Sequence, residues 1–199
     1  MDNEIRKIAW PILLNIQDPV TVKDISKTDN TSTPKMIVFD KDQKWTKDSK
    51  LSDRKMADQI DKDVNRSLNH FNLSFGLKMY RNKLSEMMQA LFETNQAWSY
   101  YQGYNDVCSV SLVAMNQNMG YHVAQSLSHY YFKDFLKSSF DKGVIPALNL
   151  MMKIIQATNP DIHDKISFIQ MPTFAVSWII TWFAHDLDDI NDTYRIFDF

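Results

Sequence analysis

The sequence predicts an all-α fold, and three observations carry that prediction. Only four glycines and six prolines punctuate the 199 residues. Runs that alternate polar and apolar side chains between turn residues, the mark of half-buried strands, are scarce. Apolar side chains instead recur at spacings of three and four over much of the length. With 44% hydrophobic and 23% charged residues, the chain can bury one sizeable core and reads as a single domain over residues 1–199.

Taken in order, residues 4–14 and the turn beyond carry Ile5, Ile8, Ile12 and Ile16 at helical spacing, with Pro11 at a kink or boundary. Residues 23–50 turn polar, with Ser, Thr, Asp and Lys crowding around Pro34. This predicts a surface excursion docked by Ile37, Val38, Phe39 and Trp45. Helix resumes over 52–69, where Met56, Ile60, Val64 and Leu68 face inward at intervals of four and leave Asp63 and Arg66 together on another stripe. Leu77, Tyr80, Leu84, Met87, Met88, Leu91 and Phe92 define the next helix, ending near Asn95. Residues 107–115 are apolar enough for a central helix, and Gly103 lets the backbone turn tightly into it, with Gln102 held at its mouth. Segments 121–136 and 144–155 are amphipathic. Asn159, Pro160 and Asp161 then supply an N-cap, a proline in the first turn and an acid at the positive dipole end of a helix over 160–169. Pro172 opens an apolar helix containing Trp178 and Trp182, and an acidic stretch follows over 186–192. The sequence stops at Phe199 with no capping residue, which predicts a domain truncated at its C-terminal end.

Several function classes are disfavoured. The net charge of −2 offers no basic excess to neutralise a phosphate backbone, so nucleic acid is not the expected partner. The single Cys108 cannot form an internal disulfide, and the first residues lack the charged-then-apolar order of a secretory signal, which points to the cytosol. The strongly apolar segment 174–184 is interrupted by Ser177 and Thr181 and falls far short of the roughly 20 residues of a bilayer span, so no membrane span is expected. The five histidines are scattered without His-Glu-x-x-His spacing, and Cys108, between Val107 and Ser109, reads as an inert core thiol. Asp188-Asp189-x-x-Asp192 matches the pattern by which prenyl-diphosphate enzymes hold Mg²⁺. It lacks the second acidic cluster that such a site needs and reads as a solvated turn. No metal site is therefore expected. Gly-x-Gly-x-x-Gly and Gly-x4-Gly-Lys-Ser/Thr are both absent, so the chain has no phosphate cradle and no expected cofactor of its own.

Two stretches remain. In Tyr100-Tyr101-Gln102-Gly103-Tyr104, a glutamine beside a glycine among three tyrosines is poor core material. In Ile60-x-x-Asp63-x-x-Arg66, a carboxylate stands one helical turn before an arginine. Alone, the second is an exposed ion pair worth a fraction of a kcal/mol, and the first a polar turn on the rim of the core. Together they suggest a paired arginine and glutamine site.

Arg6-x-x-x-Trp10, Ile60-x-x-Asp63-x-x-Arg66 and Tyr100-x-Gln102-Gly103 occur in that order, and this ordered set resembles the TBC domain of Rab GTPase-activating proteins. Asn159-Pro160-Asp161-Ile162-His163-Asp164, Ser177-Trp178-Ile179-Ile180-Thr181-Trp182-Phe183 and Tyr194-Arg195-Ile196-Phe197-Asp198-Phe199 are similar to one subgroup of that family. The resemblance implies a helical TBC-type domain and a Rab-family small GTPase as partner, which brings its own GTP and Mg²⁺. It implies Arg66 as an arginine finger and Gln102 as a glutamine finger that orients the attacking water. Asp63 would orient or charge-balance Arg66, Tyr100 and Gly103 would mount Gln102, Ile60 would support the second motif, and Arg6 with Trp10 would hold the first helix to the body. Work at the cytosolic face of the endoplasmic reticulum or Golgi, in vesicle traffic between them, is implied too. The competing expectation is a TBC-fold scaffold that assembles partners without catalysis.

Overall fold

Side-chain caps decide where many of the helices begin. Asp2, Asp53, Asn116, Asn159 and Asp189 each accept hydrogen bonds from backbone N–H groups of the turn that follows, satisfying donors the helix itself cannot. The structure, a computed structural model, describes residues 1–16, 53–69, 71, 76–137 and 139–199. The expected excursion over 23–50, with Ile37, Val38, Phe39 and Trp45, lies outside the described residues. Among those described, nine α-helices occur and no strand: α1 (Asn3–Leu13), α2 (Arg54–Val64), α3 (Leu77–Thr94), α4 (Tyr104–Ala114), α5 (Gln117–Leu127), α6 (Phe140–Thr158), α7 (Pro160–Ile166), α8 (Val176–Thr181) and α9 (Ile190–Phe197). A π-helical turn, Ser128–Phe132, continues α5, and a 3₁₀ turn, Thr173–Ala175, leads into α8. The fold is all-α.

Helix α4 is the centre. Every side chain from Tyr104 to Leu112 is buried, and the helix packs against α1, α2, α3, α5, α8 and α9. Ile60 and Val64 of α2, Leu84, Met87, Met88 and Leu91 of α3, and Val123 and Ala124 of α5 close the core around it. Cys108 sits in this core, where burial pushes its thiol well above the usual range and leaves it inert. Among the described residues no helix is long and apolar enough to cross a membrane.

The structure departs from the sequence reading at several elements, each for a physical reason. On α1 the isoleucine stripe is not the buried face: Ile5, Ile8 and Ile12 are exposed, whereas Arg6, Trp10 and Pro11 are buried. Asp198 at the end of α9 sets that rotation. It accepts from Arg6 Nε (2.9 Å), Arg6 Nη2 (2.8 Å) and Trp10 Nε1 (3.0 Å), while Arg6 Cζ lies 4.6 Å over the Tyr194 ring.

Helix α2 stops at Val64 rather than Asn69; the chain leaves through a turn in which Leu68 is left-handed (φ 67°) and the Ser67 hydroxyl bonds the Asp63 carbonyl. Helix α8 stops at Thr181, because Trp182 and Phe183 are both left-handed (φ 49° and 61°). Such residues cost about 1–3 kcal/mol each, and the Trp182 ring offsets this by packing 4.8 Å from Phe132 and 5.4 Å from both Tyr131 and Phe197. The amphipathic segment 121–136 is α5 and its π turn, and α7 ends at Ile166. The acidic stretch is used as a cap: Asp189 Oδ1 accepts from the Asn191 N–H at 2.8 Å to start α9. Among the described residues, no group of three or more His, Cys, Asp and Glu is placed to hold a metal ion.

Candidate functional site

An open cleft of about 700 Å³ lies where the end of α2, the loop into α4 and the α8 segment meet. Asp63, Arg66, Gln102 and Gly103 line one side; Ile180, Thr181 and His185 face them. The second and third sequence motifs are thus brought together. The first is not, since Arg6 and Trp10 lie at the α1–α9 junction, and Ile60 is fully buried as core support beneath α2.

Arg66 stands in the turn just after α2, with Nη2 donating to Asp63 Oδ1 at 2.6 Å. No other described residue takes a hydrogen bond from its guanidinium, and the side chain is exposed. Asp63, by contrast, is buried, and a buried carboxylate must find donors. It finds three: Arg66, Gln59 Nε2 at 3.2 Å and the Tyr100 hydroxyl at 2.6 Å. Burial, and then the Asp63 carboxylate, hold the Tyr100 phenol far above its ordinary pKa, so it stays a donor. Its ring packs edge-to-face on Phe92 with centroids 5.8 Å apart.

Gln102 is exposed between two buried neighbours, each fixed to the facing wall. The Tyr101 hydroxyl donates to the Ile180 carbonyl at 2.8 Å. Gly103 adopts φ 104°, a conformation that side-chain-bearing residues rarely tolerate, and a Cβ there would meet Thr181 Cγ2 at 2.9 Å. Two constraints thus require glycine beside the glutamine. No described residue hydrogen-bonds the Gln102 side chain, so its amide is offered to the cleft.

Beneath this loop lie residues that motif reading did not pick out. Asn105 Oδ1 accepts from the Gly103 N–H at 3.1 Å and lies 3.1 Å from the Tyr100 hydroxyl; its Nδ2 donates to Ser67 Oγ at 2.9 Å and to Asp106 Oδ1 at 3.0 Å. Asp106 Oδ2 pairs in turn with His185 Nδ1 at 2.8 Å. That hydrogen bond raises the His185 pKa above its ordinary value; burial works against it, and the Asp106 and Asp186 charges add to it. A signal was available for part of this: Asn105-Asp106 are polar residues opening an otherwise apolar helix. The partner His185 comes from a distant turn and had no local signature.

Chemically, the cleft presents a planar, permanently charged fork and a neutral amide, both exposed and both on buried, hydrogen-bonded mounts. It can meet negative charge and orient a small polar group on a molecule that enters it.

Known proteins match this chain over most of its length. A family model described as the Rab-GTPase-TBC domain matches residues 3–199. TBC1 domain family member 20 of Bos taurus is 30% identical over 203 residues, covering 100% of this chain and 45% of the relative, and the Homo sapiens protein of the same name is 29% identical over the same length. GTPase-activating protein gyp10 of Schizosaccharomyces pombe is 31% identical over 143 residues, covering 71% of this chain and 38% of the relative. The chain therefore spans less than half the length of these relatives. With a helical body, the second and third motifs on one cleft and a family match over nearly every residue, the chain belongs to the Rab-GTPase-TBC domain family.

Proposed function

We propose that this chain accelerates GTP hydrolysis by a Rab-family small GTPase, completing the partner's active site with Arg66 and Gln102. The observation that carries the reading is that these two exposed side chains, on separate rigid mounts, line one open cleft. The similarity to gyp10, a GTPase-activating protein, supports it.

The chemistry needs little else. As the γ-phosphoryl group transfers, negative charge moves toward the leaving oxygen and a water must lie in line with it, so catalysis is mostly positioning and electrostatics. Arg66 meets the developing charge with N–H donors in a fixed plane, which a lysine ammonium does not reproduce. Gln102 holds the attacking water through its amide. Asp63 keeps the guanidinium aimed and balances its charge in the free protein, and Tyr100 ties that carboxylate to the Gln102 loop. GTP and Mg²⁺ arrive on the partner. Such a partner would be met on the cytosolic face of endoplasmic reticulum or Golgi membranes.

The test is phosphate release from a panel of GTP-loaded Rab proteins, with the wild-type chain, Arg66→Ala and Gln102→Ala. Stimulation by wild type that both variants lose at unchanged helicity supports the finger roles. No stimulation of any Rab by wild type overturns the activator reading and leaves the catalytically silent scaffold.

A further inference from the structure

Three contacts hold the far wall of the cleft against the loop that carries Gln102: Tyr101 to the Ile180 carbonyl, Gly103 against Thr181, and Asp106 to His185. The third differs from the others. Its histidine is exposed at the cleft, and its aspartate leads inward along a chain of hydrogen bonds. Asp106 Oδ2 pairs with His185 Nδ1 (2.8 Å), Asp106 Oδ1 accepts from Asn105 Nδ2 (3.0 Å), and Asn105 Oδ1 accepts from the Gly103 N–H (3.1 Å). That last nitrogen belongs to the peptide that joins Gln102 to Gly103. We propose that His185 is a positioning residue for Gln102, acting through Asp106 and Asn105 on the Gln102–Gly103 peptide.

The physical argument is one of competition for a carboxylate. Asp106 is largely buried and divides its two oxygens between the His185 imidazole and the Asn105 amide. Weaken the imidazolium side and the carboxylate turns toward its remaining donors, which drags the Asn105 amide and loosens its hold on the Gly103 N–H. The acids around the imidazole, Asp106 from α4 and Asp186 beside it in sequence, both favour its charged form, while Asp63 and Arg66 of the opposite side line the same cleft. Asp186 also accepts from Ser177 Oγ at 3.0 Å. With its pKa raised, His185 keeps the charged pair at lower pH and loses it as pH rises through that raised value. Tyr101 and Thr181 carry no such dependence.

The effect on turnover rests on the activator reading; the coupling itself does not, and the two are measured separately. In the full chain labelled with ¹⁵N, the Gly103 amide should shift with the same midpoint as the His185 ring over about pH 5.5–8.5, and the response should vanish in His185→Gln and in Asp106→Asn. A Gly103 amide that stays still while the His185 ring titrates overturns the proposal. In the phosphate-release assay, His185→Gln should lower kcat about tenfold with KM within about twofold, as expected when a catalytic group is displaced rather than removed. The wild-type advantage should shrink as pH rises, after subtraction of the GTPase's intrinsic rate at each pH. A His185→Gln variant equal to wild type in kcat at every pH also overturns it. If wild type stimulates no GTPase, the activator reading fails, and the Gly103 response still decides the coupling.

Discussion

Arg6 and Asp198 meet through two parallel hydrogen bonds of 2.9 and 2.8 Å, with the arginine side chain only 5% exposed and the carboxylate 13%. Arg66 and Asp63 meet through one bond of 2.6 Å, with the arginine 67% exposed and the carboxylate 3%. Both are arginine–aspartate pairs, and the partner that is buried differs. In the first, the guanidinium also donates to Asn3 Oδ1 and lies over the Tyr194 ring, so the fork is consumed in joining the two ends of the chain. In the second, the carboxylate is consumed, by Arg66, Gln59 and Tyr100, and most of the guanidinium is left to the cleft. A pair that serves stability hides its cation. A pair that serves a partner hides its anion and uses it to aim the cation outward.

The comparison breaks most visibly at Arg66. Arg66→Ala should cost about 10³–10⁵ in stimulated hydrolysis and less than about 1 kcal/mol in stability, because Asp63 keeps two other donors and the removed side chain is exposed. Arg66→Lys should leave most of the catalytic loss in place, since charge without the fork is not enough; phosphate release and thermal melts on the same samples decide both. Gln102→Ala comes next, with a loss of about 10²–10³ in kcat, the scale of deleting one positioned polar group, and an unchanged melt. Arg6→Ala should show the reverse pattern. It takes the guanidinium fork from Asp198, which keeps Trp10 and the Met1 ammonium, and removes the packing over Tyr194, so the chain should lose about 2 kcal/mol in denaturant titrations, most of it from lost packing, while kcat per folded molecule stays near wild type. A large kcat loss in Arg6→Ala at full stability would dissolve the distinction between the two pairs.

Legibility in the sequence follows the same division. The pairing of Asp63 with Arg66 and the need for glycine at 103 are legible because these relations are short in sequence: one turn from carboxylate to arginine, and a glycine beside the glutamine where the backbone needs φ 104°. The roles of Arg66, Gln102 and Tyr100 rest on the resemblance to the TBC domain, and the Tyr100–Asp63 bond spans 37 positions. Helices α3, α4 and α7 were legible from apolar spacing and caps. The facing wall was not, because Asp106 and His185 stand 79 positions apart and an isolated histidine carries no pattern. The rotation of α1 was hidden for the same reason. Its isoleucine stripe is the better hydrophobic signal, and the winning contact is to Asp198, 192 positions from Arg6. The two left-handed aromatics at 182 and 183 go against local preference: Trp182 is held by rings from the π turn and α9, which no local reading sees, and Phe183 stacks on Trp178 with centroids 5.6 Å apart.

The finest test separates the stabilising pair by acid, and its expected effect is the smallest. Burial pushes the Asp198 carboxyl up, but hydrogen bonds from Arg6 and Trp10 and the Arg6 charge more than offset this, so its pKa lies below the ordinary value. A carboxylate with a lowered folded pKa contributes stability that is complete above the unfolded value of about 3.9 and is lost as pH falls through the folded one. His122 also loses stability in acid, with a different window: burial lowers its pKa to about 4, so its contribution is lost as pH falls from about 6.5 toward that value. The Asp198 window therefore opens where the His122 window closes. Subtracting the melting curve of Asp198→Asn from that of wild type should give a difference flat above about pH 5 that shrinks below about pH 4, by less than about 1 kcal/mol because solvent screens the pair. A wild-type advantage over Asp198→Asn that persists unchanged to the lowest pH would mean that Arg6 is held by packing over Tyr194 and not by the Asp198 charge.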